Sequence, residues 1–595
     1  MMTELSHLLP DATGVNFYAA DPDLAFLLRR HLTDEDYEQA QRVLTRMGEV
    51  ASQRMDQLAD VANRHGPVLV QFDKRGERID EVVFHPAYHE LEQISYEEFA
   101  IAACSHREGA LGWSGRVPQP VKFALGYLGM QAEAGVFCPV SMTDALARVL
   151  ERYGSEALNR RFLPGLTALT LAELKQGAMF LTEKQGGSDV GLTATVAKRI
   201  ENEPNSDEPL QPEWALWGEK WFCSNVSADY ILTLGRPEGA PKGTRGLGLF
   251  LVPKTLDQGT RNAYTIHRLK DKLGTRSLAT GEVTLHGAKA YLIGQLDRGF
   301  VQMTEMINLT RVWAAIGSLA AMRRSLLEAL LYTRGRAAFG RPLAEHPLMR
   351  RQLVDLLVEV EGCAALAFET TAVLERVDCQ GGETDQRLLR ILTPLCKYYI
   401  PKRGEYVTIE ALEMRGGNGY VEDWANPRLL RDSIVNVVWE GSANVIVLDV
   451  ARAMAKERAD RTLFEMLYHR LSRLQQPAII PVVQEVQGLL NRLSDRLQQL
   501  SLLGSEHAQL PLRGLVERMA QLTIVTLLLE QAEAELLRGP TGTGRRKLLV
   551  AQLYLRRHIT IHPDGWGADD DTTALDHFEA LVDWKNVDVS FESKE

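Results

Sequence analysis

The periodicity of apolar residues changes twice along this chain, and the order of those changes is its strongest structural constraint. Up to about residue 176 the apolar positions recur at helical spacing. LTDEDYEQAQRVLTRMGEVASQRMDQLADVANRHG keeps that spacing to Gly66, and HPAYHELEQISYEEFAIAACS resumes it. Near Gly177 the segments become short, alternating or wholly apolar, and rich in aromatic and β-branched residues: AMFLTE, EWALWGEKWFCS, DYILTLG, GLGLFLVP, GEVTLHGAKAYLIG. From about residue 300 the helical period returns, with Met306, Leu309, Trp313, Ile316 and Ala320 forming one stripe. Helices, then strands, then helices fits neither βα alternation nor a sandwich. It predicts a mostly α protein with a central β-domain. The expected division is an N-terminal helical domain over 1–176, a β-domain over 177–297, a helical bundle over 298–455 and an additional C-terminal helical domain over 456–595, broken at Gly539-Pro540-Thr541-Gly542.

A chain of 595 residues exceeds a single core, and its apolar and charged fractions are those of a soluble globular protein. No apolar run approaches the ~18–20 residues of a membrane helix, and the first residues lack the basic and apolar regions of a signal peptide. Cys104, Cys138, Cys223, Cys363, Cys379 and Cys396 are scattered without CxxC pairs, which predicts reduced thiols, a cytoplasmic setting and no zinc site. His85 and His89 have i, i+4 spacing but no HExxH glutamate, and Pro86 stands between them. They read as satisfied histidines, and no metal is expected. The net charge of −11 opposes whole-surface attraction to nucleic acid. A local patch stays open: Arg545, Arg546, Lys547, Arg556 and Arg557 cluster near the C-terminus, as either a solvated helical face or a DNA contact.

Four stretches carry chemistry, each with a plain alternative. TEKQGGSDVG (182–191) joins a strand to a glycine-rich loop whose N–H groups and hydroxyls could hold a flavin edge or a phosphate, or form an ordinary turn. GEKWFCSN (218–225) offers an aromatic strand face to a planar cofactor, or an aromatic core hairpin. MRGGNGYVED (414–423) permits close backbone approach to a ligand, or a helix C-cap turn. NVVWEGSANVIVLDV (436–450) sets one carboxylate, Glu440, between two apolar runs. It is a catalytic base or a first-turn helix residue. The dinucleotide GxGxxG and the phosphate-loop GxxxxGK[ST] are absent.

Taken in order, LTEKQGGSDV, KWFCSN, RAAFG (336–340), MRGGNGY and WEGSANV resemble the signatures of the acyl-CoA dehydrogenase flavoproteins over most of residues 100–455. FHPAYHEL, CPVSMT, RLKDKLGTRS and the long C-terminal helical segment are most similar to the AidB-type, alkylation-response branch. The resemblance implies an acyl-CoA dehydrogenase-like fold with a middle β-barrel, FAD as cofactor, an acyl-CoA or related thioester as substrate, an electron-transfer flavoprotein as acceptor and a homotetramer. It implies Glu440 as the base, with Trp439, Gly441 and Arg311 at the substrate pocket. It implies Phe180, Thr182, Gly187, Ser188, Phe222 and Ser224 around the flavin ring. Arg336, Phe339, Gly416, Gly417, Ser442 and Asn444 would serve the rest of the cofactor, Arg336 and Gly416 from a neighbouring subunit. Glu413 departs from the glutamine common in the family, and a carboxylate cannot donate to a phosphate. Two further functions remain open at this point. One is an AidB-like protein associated with DNA and protecting against alkylation, with weak dehydrogenase activity. The other is an acyl-CoA-binding homologue without turnover.

Overall fold

The computed structural model describes residues 9–200, 210–257, 259–379, 381–500, 505–537, 544–560 and 572–587. The Gly539–Gly542 break, the 561–571 stretch and the acidic end of the chain lie outside them. The chain divides into two compact units, Glu38–Trp313 and Met1–Tyr37 with Ala314–Glu595.

In the first unit the strands predicted after Gly177 form a closed sheet. They are β3 (Gly177–Phe180), β4 (Val196–Arg199), β5 (Trp214–Ser224), β6 (Tyr230–Pro237), β7 (Gly248–Pro253), β8 (Tyr264–Leu269) and β9 (Thr280–Ile293). The ring runs β6-β4-β5-β9-β7 and returns to β6, with β3 parallel on β6 and β8 antiparallel on β9. Closure leaves fewer unpaired edges, and the inward residues, among them Phe180, Leu216, Cys223, Phe250 and Val283, pack one apolar core.

The region before residue 177 is not helical throughout. Val68–Phe72 (β1) and Arg78–Val83 (β2) pair as an antiparallel hairpin. VLVQF is a short, mostly apolar run between two helices, so it does not stand out from the helical pattern in the sequence. Gly76 turns the hairpin at φ +86°. The helices Gln119–Met130 and Phe137–Tyr153 are buried along most of their length. They enclose Asp144, which accepts from Lys122 Nζ (2.9 Å), His106 Nε2 (2.8 Å) and Trp313 Nε1 (2.7 Å). Burial disfavours its charge, but Lys122 and His106 outweigh it and hold the carboxyl at about 2.

In the second unit the Glu383–Met414 helix is central. It packs against Pro347–Asp378, Ala425–Val438, Ala443–Glu457 and Leu512–Leu536. The C-terminal helices therefore share a unit with the bundle. Leu512–Leu536 and Gly544–His558 close on Gly362, where an added Cβ would lie 2.7 Å from Tyr554 and 3.0 Å from Ile524. Tyr399 and Tyr554 join their hydroxyls at 2.6 Å. Among the described residues no single helix is long and apolar enough to cross a membrane.

Candidate functional site

The predicted residues fall into groups, each built by its own local structure. The first lies on the β-domain. Where β3 ends, the Trp221 N–H donates to the Thr182 carbonyl at 2.9 Å, so Thr182 sits beside Phe222. Phe222 is 55% exposed, an unusual state for a strand aromatic, while Ser224 bonds Thr280 through their hydroxyls at 3.2 Å. The Lys270 ammonium stands 3.5 Å from the Trp221 ring centroid and 4.8 Å from that of Phe222. Gly187 closes on Thr182: a Cβ there would be 2.5 Å from Thr182 Oγ1. Ser188 is exposed at the tip of this loop.

Glu183 organises the loop. Its carboxylate accepts from the Ala194 and Thr195 N–H groups, the Thr195 hydroxyl and Lys220 Nζ, at 2.6–3.1 Å. Burial opposes its charge, but Lys220 and these hydrogen bonds prevail and hold the Glu183 carboxyl at about 2. Phe180 requires correction. Its ring is 1% exposed and belongs to the barrel core, and its carbonyl takes a bond from the Thr233 hydroxyl at 2.6 Å. It supports the strand from inside and offers no side chain to a cofactor.

The second group is the link between the Ala425–Val438 and Ala443–Glu457 helices, whose axes bend by 44°. Glu440 turns the chain at φ +57° and Gly441 follows at φ +103°. A left-handed glutamate is uncommon and strained, a state that persists only where its surroundings impose it. Trp439 is fixed by Val435 through its N–H and by Asn436 through its indole nitrogen, 2.9 Å from Asn436 Oδ1. Ser442 is the exposed cap residue of the second helix and Asn444 its exposed second residue. Lys397, 2% exposed on the Glu383–Met414 helix, donates to the Asn436 carbonyl (2.7 Å) and the Gly441 carbonyl (2.9 Å). Arg311 belongs to the other unit, on the Gly299–Gly335 helix, where it is 8% exposed and donates to Asn308 Oδ1 at 3.3 Å.

The third group surrounds a cleft of about 300 Å³ lined by Tyr332, Arg336, Gln352, Glu413 and Gly416 among others. Gly416 turns there at φ +58° with open space where a Cβ would point, and Gly417 is equally open. Beneath it Arg415 is buried, bonded to Glu328 (2.7 Å) and Asn426 (3.1 Å). Phe339 (97% exposed) and Tyr420 (82%) are bare aromatics of this unit.

The C-terminal basic cluster is not a free surface. Arg546 and Lys547 are wholly buried. Both bind Glu361, Lys547 also binds Asp23, and Arg557 pairs with Asp355 at 2.7 Å. Of the five charges read as either a solvated helical face or a DNA contact, Arg546, Lys547 and Arg557 are paired with carboxylates, and Arg556 is the exposed one. His85 caps its helix by accepting from the Ala87 N–H, and His89 bonds Glu92 at 2.8 Å.

Residues 297–455 match the acyl-CoA dehydrogenase C-terminal domain, residues 178–288 the acyl-CoA dehydrogenase middle domain, and residues 8–170 the adaptive response protein AidB N-terminal domain. The chain belongs to the acyl-CoA dehydrogenase family. Its likeness within that family is to the AidB-type branch. AidB of Escherichia coli (strain K12) is 35% identical over 456 residues, 74% of this chain and 78% of that one. Acyl-CoA dehydrogenase family member 11 of Caenorhabditis elegans is 33% identical over 450 residues, 74% and 71% of the two chains. The crystal structure of Caenorhabditis elegans ACDH-11 in complex with C11-CoA matches with a TM-score of 0.85 at 27% identity, over 98% of each chain.

In this acyl-CoA dehydrogenase homologue the sequence reading passed over Glu183, Lys220 and Lys397. A signal existed for Lys397: it is a single charge inside the apolar run ILTPLCKYYI. Glu183 stands inside the TEKQGGSDVG stretch, but its partners Ala194, Thr195 and Lys220 are distant in sequence and no local pattern announces them.

Proposed function

We propose that this protein is an FAD-dependent acyl-CoA dehydrogenase with Glu440 as its base. One observation carries the proposal: Glu440 is held in a left-handed link between two helices, with glycine as its next residue. A helix commonly ends on such a left-handed residue, and here it sets the Glu440 carboxylate in the link between the two helices. The residues just after β3 and on β5 fit a flavin. An exposed Phe222 offers a face to a planar ring, and Thr182 and Ser224 offer hydroxyls to its edge. The cleft at Arg336 and Gly416 suits the diphosphate and nucleoside half, from a neighbouring chain of a homotetramer in which Phe339 and Tyr420 are covered.

When bound, the flavin supplies a hydride acceptor at N5 and an electron route to a flavoprotein carrier. The chain's own part is to hold the thioester flat and take its Cα proton on the Glu440 carboxylate. In this reading Trp439 and Gly441, the chain neighbours of Glu440, border the thioester while Glu440 acts as the general base. In this reading the Glu440 backbone N–H receives charge developing on the thioester oxygen.

The test uses the yellow holoprotein without oxygen. Saturated acyl-CoAs of rising chain length are added and the visible flavin spectrum is followed. Bleaching at one chain length is expected, and Glu440→Gln should keep the flavin and slow bleaching by roughly 10²–10⁴-fold. Turnover that survives in Glu440→Gln removes Glu440 as the base. A spectrum that shifts without bleaching assigns the protein to acyl-CoA binding alone.

A further inference from the structure

We infer that Lys397 is the positioning residue of the carboxylate link: its ammonium holds the Trp439–Ser442 turn in its left-handed form. This rests on the reading of Glu440 as the base, and its test separates the two. The Ala425–Val438 helix ends with carbonyls that have no intrahelical partner. Lys397 Nζ takes one of them, Asn436, at 2.7 Å, and reaches across the turn to the Gly441 carbonyl at 2.9 Å. The two acceptors bracket Trp439 and Glu440, so one cation fixes both ends of the residues between them.

Burying an ammonium is costly unless its hydrogen bonds are made. A neutral side chain could satisfy one orphan carbonyl at lower cost. A tetrahedral donor with several N–H vectors at a single point can bind two carbonyls that face each other across a turn. The helix carrying Lys397 is rigid and central, so the geometry passes from the bundle to the link without a flexible intermediate. The turn needs such a clasp. Glu440 at φ +57° and Gly441 at φ +103° form a left-handed helix end, and the two carbonyls bound by Lys397 stand on either side of Glu440. The clasp therefore holds a strained carboxylate in position before substrate arrives.

The experiment is made on holoprotein carrying Lys397→Met, which keeps the side-chain length and removes the donors. Amide exchange over residues 435–446 should rise at least about tenfold while the remainder of the Glu383–Met414 helix stays protected. Flavin bleaching by acyl-CoA should slow by roughly a hundredfold, the expected effect of about 1 Å of misplacement, with ligand affinity within about threefold. Unchanged exchange over 435–446 overturns the inference whatever the activity does. A loosened link with an unchanged bleaching rate also overturns it. If Glu440→Gln still bleaches while Lys397→Met loosens the link, the base assignment falls and the clasp stands. Should Lys397→Met fail to fold, Lys397→Gln replaces the ammonium with a shorter neutral donor; it should raise exchange over 435–446 and slow bleaching in the same direction, and wild-type exchange there rejects the clasp.

Discussion

Lys220 and Glu183 form a buried ion pair, 2.9 Å long, at the base of the loop that presents Thr182. Glu183 has its carboxyl lowered from 4.5 to about 2, against the effect of burial, by Lys220, Thr195 and Ala194. A depressed carboxyl stabilises the fold above its ordinary value and loses that contribution as pH falls toward the folded value. Thermal stability should therefore drop between about pH 4.5 and 2. Glu183→Gln should cost about 2 kcal/mol at pH 7, discounted for solvent at the loop edge, and should flatten the acid limb of Tm against pH. An unaltered acid limb in the variant would assign the acid sensitivity to other carboxylates.

Gly187 and Thr182 make a narrower test of the same loop. A methyl group at Gly187 would sit 2.5 Å from Thr182 Oγ1, so Thr182 must move. Gly187→Ala should leave the barrel intact and weaken FAD retention by about tenfold, or ~1.4 kcal/mol. Release of FAD on dilution, followed by flavin fluorescence, measures it. Wild-type retention would remove Thr182 from the cofactor's edge.

The distribution of success along the sequence has a physical cause. Local patterns were legible: the strands after Gly177 and the helical stripe from Met306. Side-chain direction on a strand was less so. Phe180 ends β3 with its ring in the barrel core, whereas Thr182 lies just beyond the strand, where the strand's alternation no longer sets the side-chain direction. Ion pairs were least legible. Lys547 meets Glu361 across 186 residues and Asp23 across 524, and no local pattern announces such partners. A run of basic residues thus read as a surface patch although it lies within the bundle. Lys397 shows the intermediate case, a lone charge in an apolar run whose purpose becomes clear only when the turn it clasps is in place.

The Lys547 pairing changes what a charge-removal experiment at the C-terminus would report. Lys547 and Arg546 are buried against Glu361, whose carboxyl they hold at about 2 despite its burial. Removing one partner leaves an uncompensated buried charge, at a cost of about 3–5 kcal/mol. Lys547→Ala should lower Tm by several degrees, whereas Arg556→Ala, at an exposed position, should leave it unchanged within error. If Lys547→Ala keeps its Tm and instead abolishes salt-dependent binding to duplex DNA, the helix presents that lysine outward and the internal pairing is wrong.

Glu413 gives the sharpest electrostatic test of the cleft. It lines the same space as Arg336 and Gly416, where the diphosphate of FAD is proposed to lie. A carboxylate accepts hydrogen bonds and cannot donate to a phosphate, and its charge has the same sign as the diphosphate. Glu413→Gln replaces that repulsion with a donor of equal size. FAD retention should tighten by about fivefold, or ~1 kcal/mol, and the gain should shrink at high salt because the cleft is open to solvent. Equilibrium dialysis of FAD at low and high ionic strength reads both effects. Weaker retention would mean that Glu413 accepts from a hydroxyl or amino donor on the nucleoside. That result would make the glutamate a recognition element in its own right and shift the diphosphate toward Arg336.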